Sequence, residues 1–183
     1  MGRGFLLQLC LLAGVVAALG PHVRPDLPPA CRAFTSATDA GVVIQAAGPK
    51  GLGAFTTRAR SKGEFVGEYD GEILTVREVR RRYWNLGRLT PSDKKWFKSR
   101  SDRGMPATGD FLFDMDFGKY IDGEDADVAC WTRFMNSAPE ESASCNVRTK
   151  HTTNPPRLWF VTLRDIRVGE ELAYNYGPEY WEE

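Results

Sequence analysis

Near the end of the sequence, residues 169–177 constrain the fold more than any other segment. They begin with a glycine turn, continue as a short strand that carries Tyr174 and Tyr176, and end at Gly177. A strand with two tyrosines at this spacing is often explained by packing alone. The segment therefore becomes informative only through motifs elsewhere in the chain that fit it.

Two upstream motifs allow this segment to be interpreted. One is the glycine pair of GLGAF at 51–55, followed after one short hairpin by KGEFVGEYDGE at 62–72, and the other is RFMNS at 133–137. In this order and at these distances, the three pieces resemble the motifs of the SET-domain protein lysine methyltransferases, over about residues 39–183. The resemblance implies a mainly β fold with short helices, in which small sheets surround a pseudo-knotted C-terminal segment.

Composition sets limits but does not identify the protein. The 183 residues, of which 42% are hydrophobic and 11% aromatic, suit one domain with a buried core. The 24 basic residues balance the 24 acidic ones, so the net charge gives no reason to expect direct nucleic-acid binding. Neither of the two histidines lies near cysteines at the spacing of zinc ligands, so no metal site is predicted. We expect a monomer.

The first twenty residues have the pattern of a removable leader. A charged start precedes an apolar run over 5–19, which has signal-peptide length and is short for a stable membrane span. Four prolines then indicate an uncompacted linker over 21–38, with a transit segment as the alternative, and we expect the mature chain to begin between Pro21 and Phe34. The alternative is an apolar N-terminal helix that packs on the domain.

The leader predicts entry to the secretory route or to an organelle. Residues 30–34 resemble the junction in the bipartite plastid-targeting leaders of algae with secondary plastids. If the leader is not used, the expected location is the nucleus or the cytoplasm. Removal of Cys10 with the leader would leave Cys31, Cys130 and Cys145, an odd number that is too small for a disulfide framework and argues against an extracellular protein.

Short runs of β-forming residues, punctuated by glycine, predict eight strands in the domain at 39–183. They cover 42–46, 53–57, 64–69, 111–117, 119–122, 145–151, 158–163 and 171–176. Two helices are predicted between them, one over 75–86 with a Thr75 cap and one over 92–98 after Pro91. The resemblance makes residues 75–110 the variable insert of the family, which forms one wall of the substrate groove.

Four arginines lie close together in this insert, at Arg77, Arg80, Arg81 and Arg82. The simpler interpretation is that they form a solvated face of the first helix. The alternative is that they form a basic face that meets an acidic surface of the substrate.

The resemblance implies S-adenosylmethionine as the cofactor and assigns most of its site. The backbone has to approach this ligand closely, which favours glycine at Gly51 and Gly53. Asn136 offers an acceptor and donors to the amino-acid end, and Ser137 meets the adenine edge through its main chain. The resemblance adds Arg133, Phe134 and, as a lid over adenine, Trp181. The alternatives are a simple glycine-rich hairpin and simple packing of the tryptophan.

Beside Asn136 the sequence departs from the family pattern. Ser137 replaces the usual histidine and Ala138 the next serine, and residues 139–144 lengthen the loop before Cys145-Asn146, where the family has Pro-Asn. The main-chain contacts of the histidine do not need its side chain, so cofactor binding can survive. The lost side-chain hydrogen bonds would loosen the loop.

Methyl transfer to a lysine depends mostly on positioning, because the sulfonium is already activated. A lysine that is desolvated beside a cation has a lowered pKa, which favours the neutral, attacking amine. The predicted catalytic residues are Tyr176, whose hydroxyl orients the amine, with Tyr69 and Tyr174 as channel walls. By the resemblance, a tyrosine at 174 further predicts mono- or dimethylation.

The sequence therefore predicts a protein-lysine N-methyltransferase that acts on a histone or another protein and uses S-adenosylmethionine. The rival hypothesis is a catalytically silent SET-like binding module, which the replacements at Ser137 and Ala138 support. The presence of Asn136, Tyr174 and Tyr176 together favours the enzyme. A small secreted β protein without a cofactor would explain the leader but would leave the three motifs as coincidence.

Overall fold

The structure is a computed structural model that describes residues 36–115, 117–125 and 129–177. The predicted leader at 1–20, most of the predicted linker at 21–38 and Trp181 lie outside the described residues. Within the described ranges, neither helix has the length and apolar character that a membrane span requires.

The described chain folds into ten short strands and two helices. The strands are β1 (Val42–Ala46), β2 (Leu52–Thr56), β3 (Phe65–Glu68), β4 (Glu72–Thr75), β5 (Leu112–Asp114), β6 (Lys119–Asp122), β7 (Asn136–Ser137), β8 (Val147–Thr153), β9 (Pro156–Thr162) and β10 (Ala173–Tyr174). The helices are α1 (Val76–Arg82) and α2 (Pro91–Asp102), and short 3-10 turns occupy Gly48–Lys50 and Trp131–Phe134. The predicted fold class, mainly β with short helices, is confirmed.

The strands form four small sheets. β1 pairs with β2, the order β3-β9-β8 forms a second sheet, and the order β4-β6-β5 forms a third, all antiparallel. β7 and β10 form a parallel pair. All four sheets contribute side chains to one apolar core, in which Ala54, Leu158, Phe160 and Leu172 are fully buried. Burial of these side chains is the main favourable contribution to the free energy of folding.

The C-terminal segment lies between the two ends of the loop at 138–146. The amide of Ala138 donates to the carbonyl of Tyr174 at 3.0 Å, and the amide of Asn146 donates to the carbonyl of Ala173 at 3.1 Å. The side chain of Asn146 accepts a further bond from the Ala173 amide at 3.1 Å. These contacts agree with the predicted placement of the segment under a loop.

The helices differ from their predicted lengths for local reasons. The predicted cap is confirmed, since the Thr75 hydroxyl accepts from the Glu78 amide and the Glu78 carboxylate accepts from the Thr75 amide. The first helix ends at 82 instead of 86, before Asn85 and Gly87 adopt positive φ values of 54° and 114°. The second helix continues to 102 instead of 98, because no breaker precedes Gly104.

Two strands, β4 and β7, do not follow from the sequence pattern. β4 is only four residues long and runs directly into the helix cap, and β7 has two residues that are extended only because they pair with β10. The predicted strand at 111–117 shortens to 112–114, because Phe117 and Gly118 adopt positive φ values of 53° and 73° at the hairpin turn. The strand predicted at 145–151 runs instead from Val147 to Thr153.

A buried carboxylate joins the two helices of the insert. Asp93 is fully buried, and its oxygens accept from Arg81 Nε at 2.6 Å and from Arg82 Nε at 2.9 Å. Hydrogen bonds from Arg81, and further ones from Thr90 and Arg82, hold the pKa of the Asp93 carboxyl well below its usual range. The expectation of a solvated arginine face is therefore wrong for Arg82, which is buried, and incomplete for Arg81, which is half-buried.

A buried arginine anchors the same insert to the end of β6. Arg100 lies on α2 and donates to Asp122 Oδ2 at 2.6 Å and to Glu124 Oε2 at 2.7 Å. Its guanidinium also lies over the Trp96 ring, 4.1 Å from the ring centroid. All three ionic groups are nearly inaccessible to solvent, so the removal of one would leave buried charge without its partner.

We predict that Asp93→Asn lowers the free energy of unfolding at neutral pH by about 3 kcal/mol, because two guanidinium groups lose a buried counter-charge. Denaturant unfolding measures this difference. The control is Asp102→Asn, which breaks the exposed pair with Lys98 and should cost less than about 1 kcal/mol. Equal losses in the two variants would contradict the prediction.

Comparison of wild type with Asp93→Asn at different pH values also tests the pKa of Asp93. Its folded pKa lies below the unfolded value of about 3.9, so its stabilisation is complete above that pH and is lost as the pH falls toward the folded pKa. The difference between wild type and Asp93→Asn should therefore shrink below about pH 4.

Candidate functional site

A cavity of about 290 Å³ opens where the three sequence motifs meet. Its walls are Lys50, Leu52, Tyr69, Phe111, Arg133, Phe134, Asn136, Tyr174 and Tyr176. Six of these side chains were predicted site residues, and they come from segments that lie up to about a hundred residues apart in the sequence. The structure thus brings the three predicted catalytic residues together with three of the seven predicted cofactor residues.

Aromatic packing fixes the tyrosines at the inner end of the cavity. The ring centroids of Tyr174 and Tyr176 are 4.7 Å apart, and those of Phe160 and Tyr174 are 4.9 Å apart. Tyr69 packs on Phe113 with 5.6 Å between centroids. Because these rings belong to the main core or pack against it, their positions are set by close packing.

Two of the tyrosine hydroxyls donate to backbone carbonyls. Tyr176 Oη donates to the carbonyl of Met135 at 2.6 Å, and Tyr69 Oη donates to the carbonyl of Phe111 at 2.9 Å. A phenol whose proton is committed in this way can still accept a hydrogen bond at its oxygen. Each hydroxyl is therefore oriented to meet a ligand as an acceptor.

The residue that replaces the family histidine is also in contact with Tyr176. The side-chain oxygen of Ser137 accepts from the Tyr176 amide at 3.3 Å, while the carbonyl of Ser137 accepts from Lys50 Nζ at 3.1 Å. Ser137 and Ala138 are both buried. The loop beside Asn136 therefore keeps a side-chain hydrogen bond to the C-terminal segment.

The glycine motif requires glycine at both positions, each for a different reason. Gly51 has a φ of 83°, a conformation that other residues rarely adopt. Gly53 leaves room, because a Cβ there would lie 2.7 Å from Glu171 Oε1 and 3.0 Å from Asn136 Nδ2. The backbone at Gly53 is thus held against the side chain of Asn136.

Hydrogen bonds fix the amide of Asn136 in one orientation. Its Nδ2 donates to the carbonyl of Leu52 at 3.0 Å and to Glu171 Oε1 at 2.7 Å. Since the amide nitrogen has only two protons, both donors are used within the protein. What the side chain can offer a ligand is its carbonyl oxygen, which suits a cationic group.

Two charged residues of this region, Lys50 and Glu171, were missed by sequence reasoning. Lys50 Nζ lies 3.7 Å from Glu171 Oε2, and the lysine side chain is 43% exposed at the cavity wall. The position of Lys50 directly before the glycine motif was the available signal. The role of Glu171 depends on its contact with Asn136, which no local pattern reveals.

Arg133 connects the cavity to the insert. Its Nη1 donates to the carbonyls of Gly123 and Glu124 at 3.2 Å and 3.1 Å, and its guanidinium lies over the ring of Phe134. Glu124 is also the carboxylate that binds Arg100 of the insert. Gly123, another residue not predicted, must lack a side chain, because a Cβ there would lie 2.8 Å from the Tyr69 hydroxyl.

A second cavity, of about 400 Å³, adjoins the first and reaches the end of the insert. The two share Phe111 and Arg133 as lining residues. The remaining walls of the second cavity are Arg103, Gly104, Met105, Pro106, Glu124 and Asp125. A chain segment that enters the tyrosine-lined cavity from this side therefore passes the C-terminal end of α2.

A sequence model of the SET domain matches residues 51–177, which include the glycine motif, Asn136 and both C-terminal tyrosines. The N-lysine methyltransferase KMT5A-A of Xenopus laevis is 28% identical over 130 residues, which cover 70% of this chain and 33% of that protein. The histone-lysine N-methyltransferase Su(var)3-9 of Drosophila melanogaster is 31% identical over 142 residues, covering 74% and 19%. These names agree with the enzyme class that the sequence predicts.

A solved structure also resembles this chain. A crystal structure of the Chaetomium thermophilum polycomb repressive complex 2 contains a chain that is 26% identical and superimposes with a TM-score of 0.52, over 74% of this chain and 15% of that one. The present chain spans about one third of the length of the frog relative and less of the other two proteins. The match over residues 51–177 shows that this chain belongs to the SET-domain family.

Proposed function

We propose that this protein is an S-adenosylmethionine-dependent protein-lysine N-methyltransferase. The observation that carries the proposal is the convergence of Asn136, Tyr69, Tyr174 and Tyr176 in one cavity. The names of the relatives support the same activity. The substrate is a lysine side chain of a histone or another protein.

The cavity residues fit this cofactor. Gly53 lets the backbone lie against Asn136, whose carbonyl oxygen is the part of the amide that can receive an ammonium group. Lys50 supplies a cation for a carboxylate, and Arg133 and Phe134 complete this side of the cavity. Bound S-adenosylmethionine would supply a methyl group already activated on a sulfonium.

The tyrosines prepare the substrate amine. Aromatic walls at Tyr69 and Tyr174 remove water from the lysine, which lowers the pKa of its ammonium and favours loss of the proton to solvent. The oxygen of Tyr176 then accepts a hydrogen bond from the neutral amine and aims its lone pair. Orientation of this kind accounts for a large part of the rate in a displacement that needs no general acid.

A catalytically silent binding module is the second candidate, because Ser137 and Ala138 depart from the family pattern. The hydrogen bond from the Tyr176 amide to the Ser137 hydroxyl weighs against it. The replacement leaves the loop joined to the C-terminal segment, and the acceptor of Asn136 and the tyrosine hydroxyls keep their orientation. These contacts favour the enzyme.

The proposal is tested first by cofactor binding. We predict that wild-type protein binds S-adenosylmethionine and that Asn136→Ala weakens binding by roughly 1.5 to 3 kcal/mol, because a hydrogen bond to a charged group is lost. Isothermal titration calorimetry measures both affinities. Lys150→Ala, an exposed change on β8 away from the cavity, is the control and should leave binding unchanged. An unaltered affinity for Asn136→Ala would remove this residue from the site.

A second test separates chemistry from binding. We predict that Tyr176→Phe lowers kcat on the order of a hundredfold and changes cofactor affinity little, since its hydroxyl acts mainly in the transition state. Tyr120→Phe is a matched control, because this phenol lies on β6 and does not line the cavity. Steady-state kinetics and calorimetry provide the two numbers. Comparable losses in both would contradict the proposed role of Tyr176.

A third test concerns the number of methyl groups transferred. We propose that the wild-type enzyme stops at one or two, because the Tyr174 hydroxyl holds the amine or a water in space that a further methyl group needs. Tyr174→Phe keeps the ring that packs on Phe160 and should shift the products toward di- or trimethyl-lysine with a modest loss of total rate. Mass spectrometry of a substrate peptide reports the distribution. Identical product distributions would mean that Tyr174 lines the cavity without limiting the number of methyl groups.

A further inference from the structure

The charge of this protein is divided unevenly, although the net charge of the chain is zero. Within residues 76–103, which contain both helices of the insert, ten side chains are basic and three are acidic. The rest of the chain therefore carries an equal acidic excess. Such a separation creates a directional field that the net charge conceals.

Half of the basic residues of the insert are held in ion pairs. Arg81 and Arg82 bind Asp93, Arg100 binds Asp122 and Glu124, Lys98 binds Asp102, and Arg103 binds Asp125. The pairs of Arg100 and Arg103 join the insert to the domain, whereas those of Arg81, Arg82 and Lys98 lie within the insert. They use two of the three acidic groups of residues 76–103, and the third, Glu78, binds Arg82.

The other half form what we call the outer basic face, consisting of Arg77, Arg80, Arg88, Lys94 and Lys95. All five are exposed, and within the described part of the chain none makes an ion pair or a side-chain hydrogen bond. Because the nearby carboxylates are already used, this face presents uncompensated positive charge. The ion pairs thus determine which basic side chains remain exposed without a counter-charge.

The position of the outer basic face relates it to the candidate site. α2 carries Lys94 and Lys95 near its start and is 12 residues long, which corresponds to about 18 Å. Its C-terminal end continues into Arg103 and Met105, which line the second cavity beside Phe111. An extended polypeptide of about six residues spans that distance. A substrate whose lysine enters through the second cavity can therefore reach the face with its neighbouring residues.

We propose that the outer basic face binds an acidic segment of the substrate protein, close to the lysine that is methylated. This inference rests on the proposed function, because it places a substrate lysine in the tyrosine-lined cavity. Complementary charges at this distance would raise the rate of encounter and select among lysines by their surroundings. Neutral or basic sequences around a lysine would make the substrate poorer.

Several features favour an acidic protein over nucleic acid as the partner. The residue that enters the cavity belongs to a polypeptide, so its flanking residues are already present at high effective concentration. The whole chain has a pI of about 6.7, whereas nucleic-acid-binding domains are strongly basic. Leu86 is the one large apolar side chain of the fully described insert that is exposed, and its aromatic rings Trp84, Trp96 and Phe97 are only half-exposed, which leaves little surface for stacking bases.

Peptide binding without catalysis tests the surface directly. Two fluorescent peptides carry norleucine in place of the target lysine, one with aspartate and glutamate on both sides and one with glycine and serine. We expect wild-type protein to bind the acidic peptide on the order of tenfold more tightly at low salt, since several exposed ion pairs add. The preference should fall at high salt. Fluorescence anisotropy gives both affinities.

The decisive variant reverses four charges: Arg77→Glu, Arg80→Glu, Lys94→Glu and Lys95→Glu. It should lose the preference for the acidic peptide, whereas the control Arg148→Glu with Lys150→Glu, at exposed positions of β8, should keep it. Thermal unfolding checks both proteins, and glutamine replaces glutamate at the same four positions if the reversal variant fails to fold. Equal affinity of wild type for both peptides, or an unchanged preference in the variant, would overturn the proposal.

Two further measurements separate this proposal from its alternatives. Tighter binding of a short DNA duplex than of the acidic peptide would assign the face to nucleic acid and overturn the inference. Methyl transfer to lysine peptides is measured separately. Methyl transfer without any charge preference would contradict the proposed role of the outer basic face and leave the proposed activity intact. A charge preference in binding without transfer to any lysine peptide would support the role of the face and contradict the proposed activity.

Discussion

The candidate site depends on the way the C-terminal segment is held by the loop at 138–146. Backbone bonds from Ala138 and Asn146 fix β10 at both ends of that loop, and the pairing with β7 places Tyr174 beside Ser137. Without these bonds, the tyrosines would have no fixed relation to Asn136. The aromatic rings then fill the space that the segment encloses, so one backbone arrangement sets both the core and the cavity.

The insert depends on a different kind of interaction. Its helices are short, and α2 has little apolar surface. Buried ion pairs therefore hold the helices to each other and to the end of β6. Buried charges stabilise only when every partner is present, which makes such an interface specific rather than strong. The same bonds reach the cavity, since Glu124 is bound by Arg100 through its side chain and by Arg133 through its carbonyl. Insert and cavity are therefore coupled through one short segment after β6.

The sequence allowed prediction of the fold class and of six cavity residues, because these belong to local motifs that keep their order along the chain. Lys50, Glu171 and Gly123 escaped prediction, since each acquires its role only when distant segments approach. A charged residue in a polar helix is normally solvated, and nothing local distinguishes the buried Arg82 from its exposed neighbours. Trp181 stays a prediction, as do the leader and the linker.

The pairing of the segment with distant residues also has a consequence for the order of folding. β3 pairs with β9, and β2 bonds to residues just before β10, so contacts of high sequence separation dominate the domain. Topologies of this kind fold slowly, because the entropy of closing long loops is lost before the contacts form. During synthesis, the glycine motif and Asn136 leave the ribosome before the residues that complete their site. Nascent chains of this protein hence carry the glycine motif and Asn136 for some time before the candidate cavity can form.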